Sequence, residues 1–445
     1  MTGGLHGGDA AAGLGDLATA WIRERLKGTG PGVVGDPVAL GVALSGSLGE
    51  NGLGVEAAWA TFRDVVAPAN AGLDSDRFLA FIPVSPSAAG VWMDAVVGAA
   101  NFSAESWLEA AGAVAAEREV IELLVRSAGM PESASGCFMT GGSIGNLSAL
   151  AVARDQAGDR RTVVVADTAH ASIDNALHLL GMTPLVVATG PDCRLTGEAV
   201  RAAVAGRTDI AAIVAAGGST NAGVIDDLAG CADVAGELGA WFHVDGAYGL
   251  AALLLPEMRD AFRGIERADS FIVDPHKWLF APAGSCALVY RRPDLARLTH
   301  TQHGPYIDVL HTSDDTSAYN PSDLGFQLTR RASGLPIWFA LAVHGLEAHR
   351  VAIRRGIELA QAMAAALDES PDTELVLPPQ LGVVLFRRRG WGASEWREWA
   401  TRCLESQVAF VAPSTYKGES VGRVVFMHPS TPGSIVPELM ATLTG

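Results

Sequence analysis

Short apolar runs alternate with amphipathic segments from about residue 135 to residue 290. Apolar runs predict strands at 162–166, 184–188, 210–215, 241–244, 270–273 and 287–290. Between most of them, apolar residues recur at helical spacing, for example over 197–205 and 228–238. Continuous apolar strands that alternate with helices are typical of a parallel sheet covered on both faces. The pattern therefore predicts an α/β domain with a mostly parallel sheet.

The flanking segments have different patterns. Ile22 and Leu26 lie on one face of an N-terminal helix predicted over 16–27, which a Gly- and Pro-rich break follows. The C-terminal part contains a predicted helix, strand, helix and strand, at 336–350, 382–387, 394–406 and 421–427. We therefore divide the chain into an N-terminal helical segment, a large domain and a small α+β domain, at 1–75, 76–335 and 336–445.

Composition limits the classes of function. The chain has 445 residues, of which 49% are hydrophobic, and a formal net charge of −17. This charge disfavours nucleic-acid binding, because an acidic surface repels a phosphate backbone. The most apolar run, at 249–256, is far shorter than the ~20 residues of a membrane-spanning helix. We therefore expect neither a nucleic-acid nor a membrane partner.

The cysteines and the N-terminus indicate the compartment. The five cysteines are widely spaced and form no CxxC motif, which suits thiols in a reducing cytosol and predicts no zinc site. The first residues contain neither a basic region nor a compact apolar region of the kind that a secretory signal requires. We expect a cytoplasmic protein without a metal centre.

Two of the predicted strand ends carry residues that suit an anion and a flat ring, and ligands bind beyond the carboxyl ends of parallel strands. Gly142 and Ser143, in "TGGSIGN", precede a helical run and form either a phosphate cradle or a tight turn with a serine cap. His170, in "ADTAH", is either a structural histidine or a ring that stacks on a planar ligand.

Two more strand ends carry an acid and an amine. Asp245 shares a face of its strand with His243 and either caps the next turn or binds a ligand, while a metal pair has no apparent third ligand. Lys277, in "VDPHKW", is either a surface lysine or a nucleophile whose pKa is lowered by desolvation and nearby cations.

Together these residues match the parts of pyridoxal 5′-phosphate, which has a phosphate, an aromatic face, a ring nitrogen and an aldehyde. Asp245 would keep the ring nitrogen protonated, and Lys277 would form an imine with the aldehyde. Two other classes are a nicotinamide-dependent dehydrogenase, which lacks its GxGxxG motif here, and an interaction protein without a cofactor. The presence of both Asp245 and Lys277 favours the pyridoxal-phosphate hypothesis.

Several motifs strengthen that hypothesis. The sequence resembles the group II pyridoxal-phosphate-dependent amino-acid decarboxylases, the aromatic-amino-acid and glutamate decarboxylase family. The resemblance lies in "RFLAFIPVSPS", "TGGSIGNLSAL", "DTAHASIDNA", "GGSTNAGVIDDL", "HVDGAYG", "DSFIVDPHKWLFAP" and "LTRRASGLPIWFALAVHG". It covers about residues 75–345 well. It implies the aspartate-aminotransferase fold (type I) and a homodimer with shared active sites.

The resemblance also implies roles for individual residues. Gly142 and Ser143 would contact the phosphate, His170 would stack on the ring, Asp245 would pair with its nitrogen and Lys277 would form the imine. Further cofactor contacts would come from Thr220, Ala247 and His276, and substrate contacts from Phe81, Pro83, Val84, Ser103 and Glu105. The implied reaction is amino-acid decarboxylation through an external imine and a quinonoid, which Tyr319 would protonate.

Three features depart from the family pattern. Ser103 and Glu105 stand where aromatic-substrate members have an apolar wall, which indicates a polar or cationic substrate side chain unless Glu105 points to solvent. Tyr319 does not fall cleanly at the family's loop-acid position. An aldehyde synthase or a carbon–sulfur lyase of antibiotic-type specialised metabolism is therefore the alternative. Asp274 stands where the family motif often has Asn, and we expect it to turn away from the phosphate toward backbone donors.

Overall fold

The computed structural model describes residues 13–83, 85–311 and 319–444. A seven-stranded sheet forms the centre of the large domain. Its strands are β1 (Ser135–Met139), β2 (Thr162–Ala166), β3 (Thr183–Val187), β4 (Ile210–Ala216), β5 (Trp241–Asp245), β6 (Ser270–Val273) and β7 (Cys286–Tyr290). Their order in the sheet is β1-β7-β6-β5-β4-β2-β3. β7 runs in the direction opposite to that of the other six strands. The predicted α/β fold with a mostly parallel sheet is confirmed.

The sheet is covered on both faces because its strands are apolar on both faces. In β2, Val164 packs into one hydrophobic core, whereas Val163 and Val165 pack into the core on the opposite side. The helices of the N-terminal segment and large domain are α1 (Leu14–Arg25), α2 (Pro37–Leu44), α3 (Val55–Thr61), α4 (Ala88–Ala100), α5 (Trp107–Ser127), α6 (Gly142–Gln156), α7 (Ala171–Leu180), α8 (Gly197–Ala203), α9 (Leu228–Leu238) and α10 (Pro293–His300). Side chains of α5 and α9 fill the core around Val164, and those of α6 and α7 fill the other.

The small domain packs its own antiparallel sheet against helices. Its elements are α11 (Leu335–Glu369), β8 (Thr373–Leu375), β9 (Val383–Arg388), α12 (Ala393–Glu405), β10 (Ser414–Tyr416), β11 (Glu419–Val425) and α13 (Ile435–Thr442). The sheet order is β10-β11-β9-β8, and Phe386, Trp396 and Trp399 form an edge-to-face aromatic cluster in its core. This is the small α+β domain that the sequence predicted.

Hydrogen bonds of Gly382 and Arg423 are among the contacts that join the small domain to the loops of the large sheet. The backbone N–H of Gly382 donates a hydrogen bond to the Tyr248 hydroxyl over 2.7 Å, and the Tyr248 ring stacks on Trp278. The guanidinium of Arg423, on β11, donates to the carbonyl oxygens of Thr220 and Asn221 over 2.7 and 3.1 Å. The small domain therefore fixes the loop that carries Thr220.

A buried ion pair fixes the chain ahead of α11. Glu117 on α5 accepts two hydrogen bonds from the Arg330 guanidinium, over 3.0 and 2.5 Å, and a third from the backbone N–H of Gly334. Both charged side chains are only 2% exposed. The other charge is the main compensation for the desolvation of each group, so the loss of one partner is costly.

We predict that Glu117→Ala lowers the free energy of unfolding by about 3–5 kcal/mol, because it leaves the Arg330 guanidinium buried without a counter-charge. Equilibrium unfolding in urea measures this change. The control is Glu237→Ala, which breaks the exposed Arg201–Glu237 pair and should leave the free energy of unfolding nearly unchanged. Equal losses in the two variants would contradict the prediction.

Candidate active site

A cavity of about 400 Å³ opens at the carboxyl ends of the parallel strands. Its lining includes all the residues that the sequence assigned to the cofactor, namely Gly142, Ser143, His170, Thr220, Asp245, Ala247, His276 and Lys277. They come from distant parts of the sequence and meet because parallel strands end at the same edge of the sheet.

The N-terminus of α6 forms one end of the cavity. Thr140, Gly141, Gly142, Ser143 and Ile144 line this end, where the first N–H groups of a helix lack partners within the helix and attract anions. A Cβ on Gly142 would lie 2.8 Å from a carboxylate oxygen of Asp274, so only glycine fits without displacing that side chain. The arrangement suits a phosphate group.

Asp245 lies at the end of β5 with both carboxylate oxygens held. Its Oδ2 accepts a hydrogen bond from the Asn146 side chain over 2.9 Å, and its Oδ1 accepts from the backbone N–H of Ala247 over 3.2 Å. Each carboxylate oxygen has two lone pairs, so a further donor in the cavity can still bind. Asp245 can therefore pair with a protonated ring nitrogen.

Lys277 forms an ion pair with Asp274. The distance from Lys277 Nζ to Asp274 Oδ2 is 3.0 Å, and the two side chains are 19% and 2% exposed. Burial alone lowers the pKa of Lys277, but the charges of Asp274 and Asp245 and the hydrogen bond to Asp274 outweigh burial and raise that pKa. The expectation of a lowered Lys277 pKa is thus wrong. The protein groups around the amine raise this pKa, because they are carboxylates rather than cations.

The orientation of Asp274 also differs from our expectation. Its side chain faces Lys277, and its Oδ2 lies 3.8 Å from Nε2 of His276, instead of turning toward backbone donors. His276 is held by its Nδ1, which lies 2.5 Å from the carbonyl oxygen of Ser285. Asp274 therefore belongs to the lining of the cavity, between the lysine and the α6 N-terminus.

His170 is the N-cap residue of α7. The backbone N–H of Ser172 donates to its Nδ1 over 3.2 Å, and the Ser172 hydroxyl lies 2.8 Å from the same atom. These contacts fix the imidazole at the mouth of the cavity, where it is exposed. The ring is thus placed where a flat ligand can stack on it.

Unpartnered polar atoms indicate that the cavity suits a polar ligand. The buried Oγ1 of Thr168 and Oδ1 of Asp274 have no hydrogen-bond partner within the described residues, and both side chains belong to the lining. Buried polar atoms are normally hydrogen-bonded, so these two need a partner from outside the protein. Together with the anion-binding end and Asp245, they fit pyridoxal phosphate.

The structure does not bring the other predicted site residues into this cavity. Tyr319 is buried in the core beside β1, where its hydroxyl donates to the carbonyl oxygen of Gly136 and burial raises its pKa. This position corrects the expectation that Tyr319 is the proton donor in the chain's own cavity. Phe81, Pro83, Ser103 and Glu105 are also absent from the lining, and Val84 lies outside the described residues.

Two further residues belong to the site although sequence reasoning gave them no role. Asn146 lies in the quoted "TGGSIGN" run, but its spacing does not reveal that its amide faces Asp245. Tyr248 lies in "HVDGAYG" and lines the cavity while it also contacts the small domain. The periodicity of apolar residues carries no information on the contacts of an amide or a phenol. The quoted motifs were therefore the available signal for these two residues.

Comparison with known proteins identifies the family. The pyridoxal-dependent decarboxylase conserved domain matches residues 50–389. The chain belongs to the pyridoxal-dependent decarboxylase family. It is 35% identical to an aromatic-L-amino-acid decarboxylase of Bacillus atrophaeus over 332 residues, which cover 71% of this chain and 68% of that protein.

Other relatives agree with this assignment. An L-2,4-diaminobutyrate decarboxylase of Rhizobium meliloti is 31% identical over 367 residues, covering 78% of this decarboxylase and 73% of the relative. The crystal structure of Oryza sativa TDC with PLP and tryptamine shares the fold, with a TM-score of 0.89, 24% identity and coverage of 98% and 97%. The predicted enzyme class and cofactor are confirmed: this decarboxylase is a carboxy-lyase that uses pyridoxal 5′-phosphate.

Among residues 13–83, 85–311 and 319–444, no group of His, Cys, Asp and Glu side chains is arranged to hold a metal ion. In the same part of this decarboxylase, no helix combines the length and the apolar character that crossing a membrane requires.

We predict that Asp274→Asn lowers the pKa of Lys277, because the variant removes the nearest charge that stabilises the ammonium. The pH dependence of Lys277 labelling by an amine-reactive reagent, followed by mass spectrometry on the cofactor-free protein, measures this change. The labelling midpoint should move to lower pH.

The matched control is Glu24→Gln, because Glu24 and Lys27 form an exposed ion pair, also three residues apart. This exposed pair is remote in sequence from the cavity, so Glu24→Gln should leave the Lys277 labelling midpoint in place. An unchanged Lys277 midpoint in Asp274→Asn would show that the ion pair does not govern this lysine.

Proposed function

We propose that this decarboxylase removes the α-carboxylate of an amino acid with a polar or cationic side chain, and that it works as a cytoplasmic homodimer. The observation that carries the proposal is the shared cavity of Asp245, Lys277 and the α6 N-terminus. Pyridoxal phosphate, when bound, supplies an electron sink for the pair of electrons left at Cα as CO₂ departs.

Each side chain of the cavity then has a defined task. The α6 N-terminus, with Gly142 and Ser143, binds the phosphate, while Asp245 stabilises positive charge at the ring nitrogen by a fixed carboxylate. His170 and Ala247 confine the ring, and Thr220 and His276 line its edges.

Lys277 and Asp274 are placed to transfer a proton between them. Lys277 must lose its proton before its amine can bond covalently to the cofactor. Asp274 Oδ2, 3.0 Å from Nζ, is placed to accept that proton and to return it when the amine is released. The buried position of Asp274 keeps water from competing for the proton.

The substrate side chain is assigned from Ser103 and Glu105. These residues lie on the segment before α5, and Glu105 is partly buried with its Oε2 3.3 Å from the Ser103 hydroxyl. A carboxylate at this place favours a cationic substrate group over an aromatic ring. The diaminobutyrate decarboxylase relative supports an amino acid with a second amine.

In the proposed homodimer, the segment that carries Ser103 and Glu105 reaches the substrate bound to the second copy of the chain. Phe81, Phe102, Trp107, Leu108 and Phe326 are exposed, with Phe81 and Leu108 at 63% and 70%. Exposed apolar side chains in such number indicate a protein interface. We propose that the segment formed by residues 78–108, which includes Pro83 and Val84, contributes the substrate wall to the cavity of the partner subunit.

The compartment is proposed from the thiols. All five cysteines are free and buried in the structure, so they act as small core residues rather than as cross-links. Free thiols in this number suit a reducing cytoplasm.

An alternative outcome is favoured by the position of Tyr319. Because its hydroxyl is bonded to Gly136 within the core, it does not protonate Cα in the chain's own cavity. In an enzyme that lacks a placed acid, O₂ would take up the electron pair left at Cα and become H₂O₂, so that the product is an aldehyde and the amine nitrogen leaves as ammonia. Expulsion of a thiol from the β-carbon would be the other outcome. Either reaction would fit a role in specialised metabolism.

We predict that Asp245→Ala keeps the fold but lowers kcat by about 10²–10³-fold, because it removes a fixed charge at the ring nitrogen. Lys277→Ala should lose the absorbance of the lysine-linked cofactor at about 420 nm. Asp167→Ala is the control, since Asp167 follows β2 as Asp245 ends β5, but its carboxylate accepts hydrogen bonds from Thr189 and it lies outside the lining. Wild-type turnover in Asp245→Ala would refute the ring-nitrogen role.

We predict that L-2,4-diaminobutyrate gives a higher kcat/KM than L-phenylalanine, and that Glu105→Gln reduces this ratio by at least about tenfold. Mass spectrometry separates the outcomes: amine with CO₂ supports decarboxylation, aldehyde with H₂O₂ supports the oxidative alternative, and thiol with ammonia supports elimination. A preference for phenylalanine that Glu105→Gln leaves unchanged would contradict the assigned substrate class.

A further inference from the structure

A chain of hydrogen bonds runs through the buried region behind the cavity. Asn146, on α6, is 1% exposed and His243, on β5, is fully buried. The Asn146 Nδ2 group donates to Asp245 Oδ2 over 2.9 Å and to the Ser172 hydroxyl over 3.0 Å. One amide thus contacts both the carboxylate and, through Ser172, the histidine of the cavity.

The orientation of this amide is fixed from behind by His243. Both N–H groups of Asn146 are used by Asp245 and Ser172, so its Oδ1 faces Nε2 of His243 over 2.9 Å and must accept from it. His243 therefore carries its proton on Nε2. Burial lowers the pKa of His243 to about 4, which keeps the ring neutral despite the nearby charge of Asp245.

The far side of His243 agrees with this tautomer. Its Nδ1 lies 2.8 Å from the Ser270 hydroxyl, which also accepts a hydrogen bond from the Trp241 indole over 2.8 Å. Ser270 must then donate its single proton to Nδ1, which is free to accept because Nε2 carries the proton. Every donor in the chain from Trp241 to Asp245 has one acceptor, so the amide of Asn146 cannot flip without breaking two hydrogen bonds.

The second branch sets the tautomer of His170. The backbone N–H of Ser172 points at His170 Nδ1, so this nitrogen carries a lone pair. The Ser172 hydroxyl, which accepts from Asn146, can donate its own proton to the same nitrogen. A neutral His170 therefore bears its proton on Nε2.

We propose that Asn146 is a positioning residue that joins Asp245 and His170 into one unit, with neutral His243 fixing the direction of its amide. In this role Asn146 aims the Asp245 carboxylate at the cofactor ring nitrogen and holds His170 against the ring face. The inference rests on the cofactor roles proposed above for Asp245 and His170.

The decisive comparison is between Asn146→Leu and Asn146→Ala. Leucine keeps the branched heavy-atom shape of asparagine, although it is larger, and makes none of its hydrogen bonds. Alanine loses both the shape and the hydrogen bonds. If Asn146 acts by its hydrogen bonds, each variant should raise the Kd for pyridoxal phosphate and lower kcat by about tenfold or more, a loss of ~1.4 kcal/mol for each tenfold. KM should change far less than kcat. A pure packing role predicts that leucine restores what alanine loses, and that result would overturn the proposal.

A spectroscopic readout separates positioning from stability. The ¹⁵N NMR signal of the cofactor ring nitrogen, in enzyme loaded with ¹⁵N-labelled pyridoxal phosphate, should move toward the unprotonated form in both Asn146 variants. Ser172→Ala cuts only the His170 branch and should leave this signal in place. A signal that Ser172→Ala shifts as far as Asn146→Leu does would also overturn the proposal.

The controls address folding and the underlying function. Asn320→Ala removes another buried asparagine, which bonds Trp107 and Leu310 outside the cavity, and should leave cofactor affinity unchanged. If thermal unfolding shows that Asn146→Leu does not fold, the proposal is tested by comparing the ring-nitrogen signals of Asn146→Ala and Ser172→Ala instead. If Asp245→Ala abolishes turnover while the Asn146 variants behave as wild type, only this inference fails. If Asp245→Ala is active, the assigned role of Asp245 fails first.

Discussion

Parallel pairing of β5 with β6 is the constraint on which the chemistry of this decarboxylase depends. Asp245, the last residue of β5, lies opposite Ile272 near the end of β6, and Lys277 follows on the loop beyond. A shift of one residue in either strand would turn these side chains to the opposite face of the sheet. The apolar cores on both faces prevent such a shift, because every residue of β6 is buried.

The same constraint explains why charges collect in one cavity. Three carboxylate or amine groups, on Asp245, Asp274 and Lys277, lie at the strand ends, and burial makes each of them depend on its neighbours. Asp274 is compensated by Lys277, and Asp245 by the Asn146 amide and the Ala247 backbone. The electrostatics of the cavity therefore result from the sheet topology and not from any single motif.

Much of the fold and cofactor site followed from sequence. The strands β2, β4 and β6 are mainly apolar runs, and β5 is apolar except for His243 and its last residue, Asp245. A polar residue after such a run marks a strand end. β1 was missed because "SGCFM" is short and contains glycine, so its pairing with β7 is visible only in three dimensions.

The remaining details depend on side-chain direction, which periodicity does not encode. Asp274 was expected to avoid the phosphate, but the sequence could not show that Lys277 curls back one turn to meet it. The place of Tyr319 in the chain suggests a loop acid, yet its hydroxyl has a carbonyl of β1 as its partner in the core. The run that contains Asn146 suggests a function for its glycines and not for the asparagine. The contacts of Asn146 with Asp245 and His243 form because α6 packs on β5.

The contacts between Arg423, Tyr248 and the loops of the large sheet have a consequence for recombination among relatives. Burial lowers the pKa of the Arg423 guanidinium to about 10, and backbone carbonyls of the other domain are the acceptors found for it. A C-terminal domain transplanted from a relative therefore needs a loop of matching backbone shape around Thr220. Chimeras joined at the start of α11 should be designed with both halves of this contact taken from one parent.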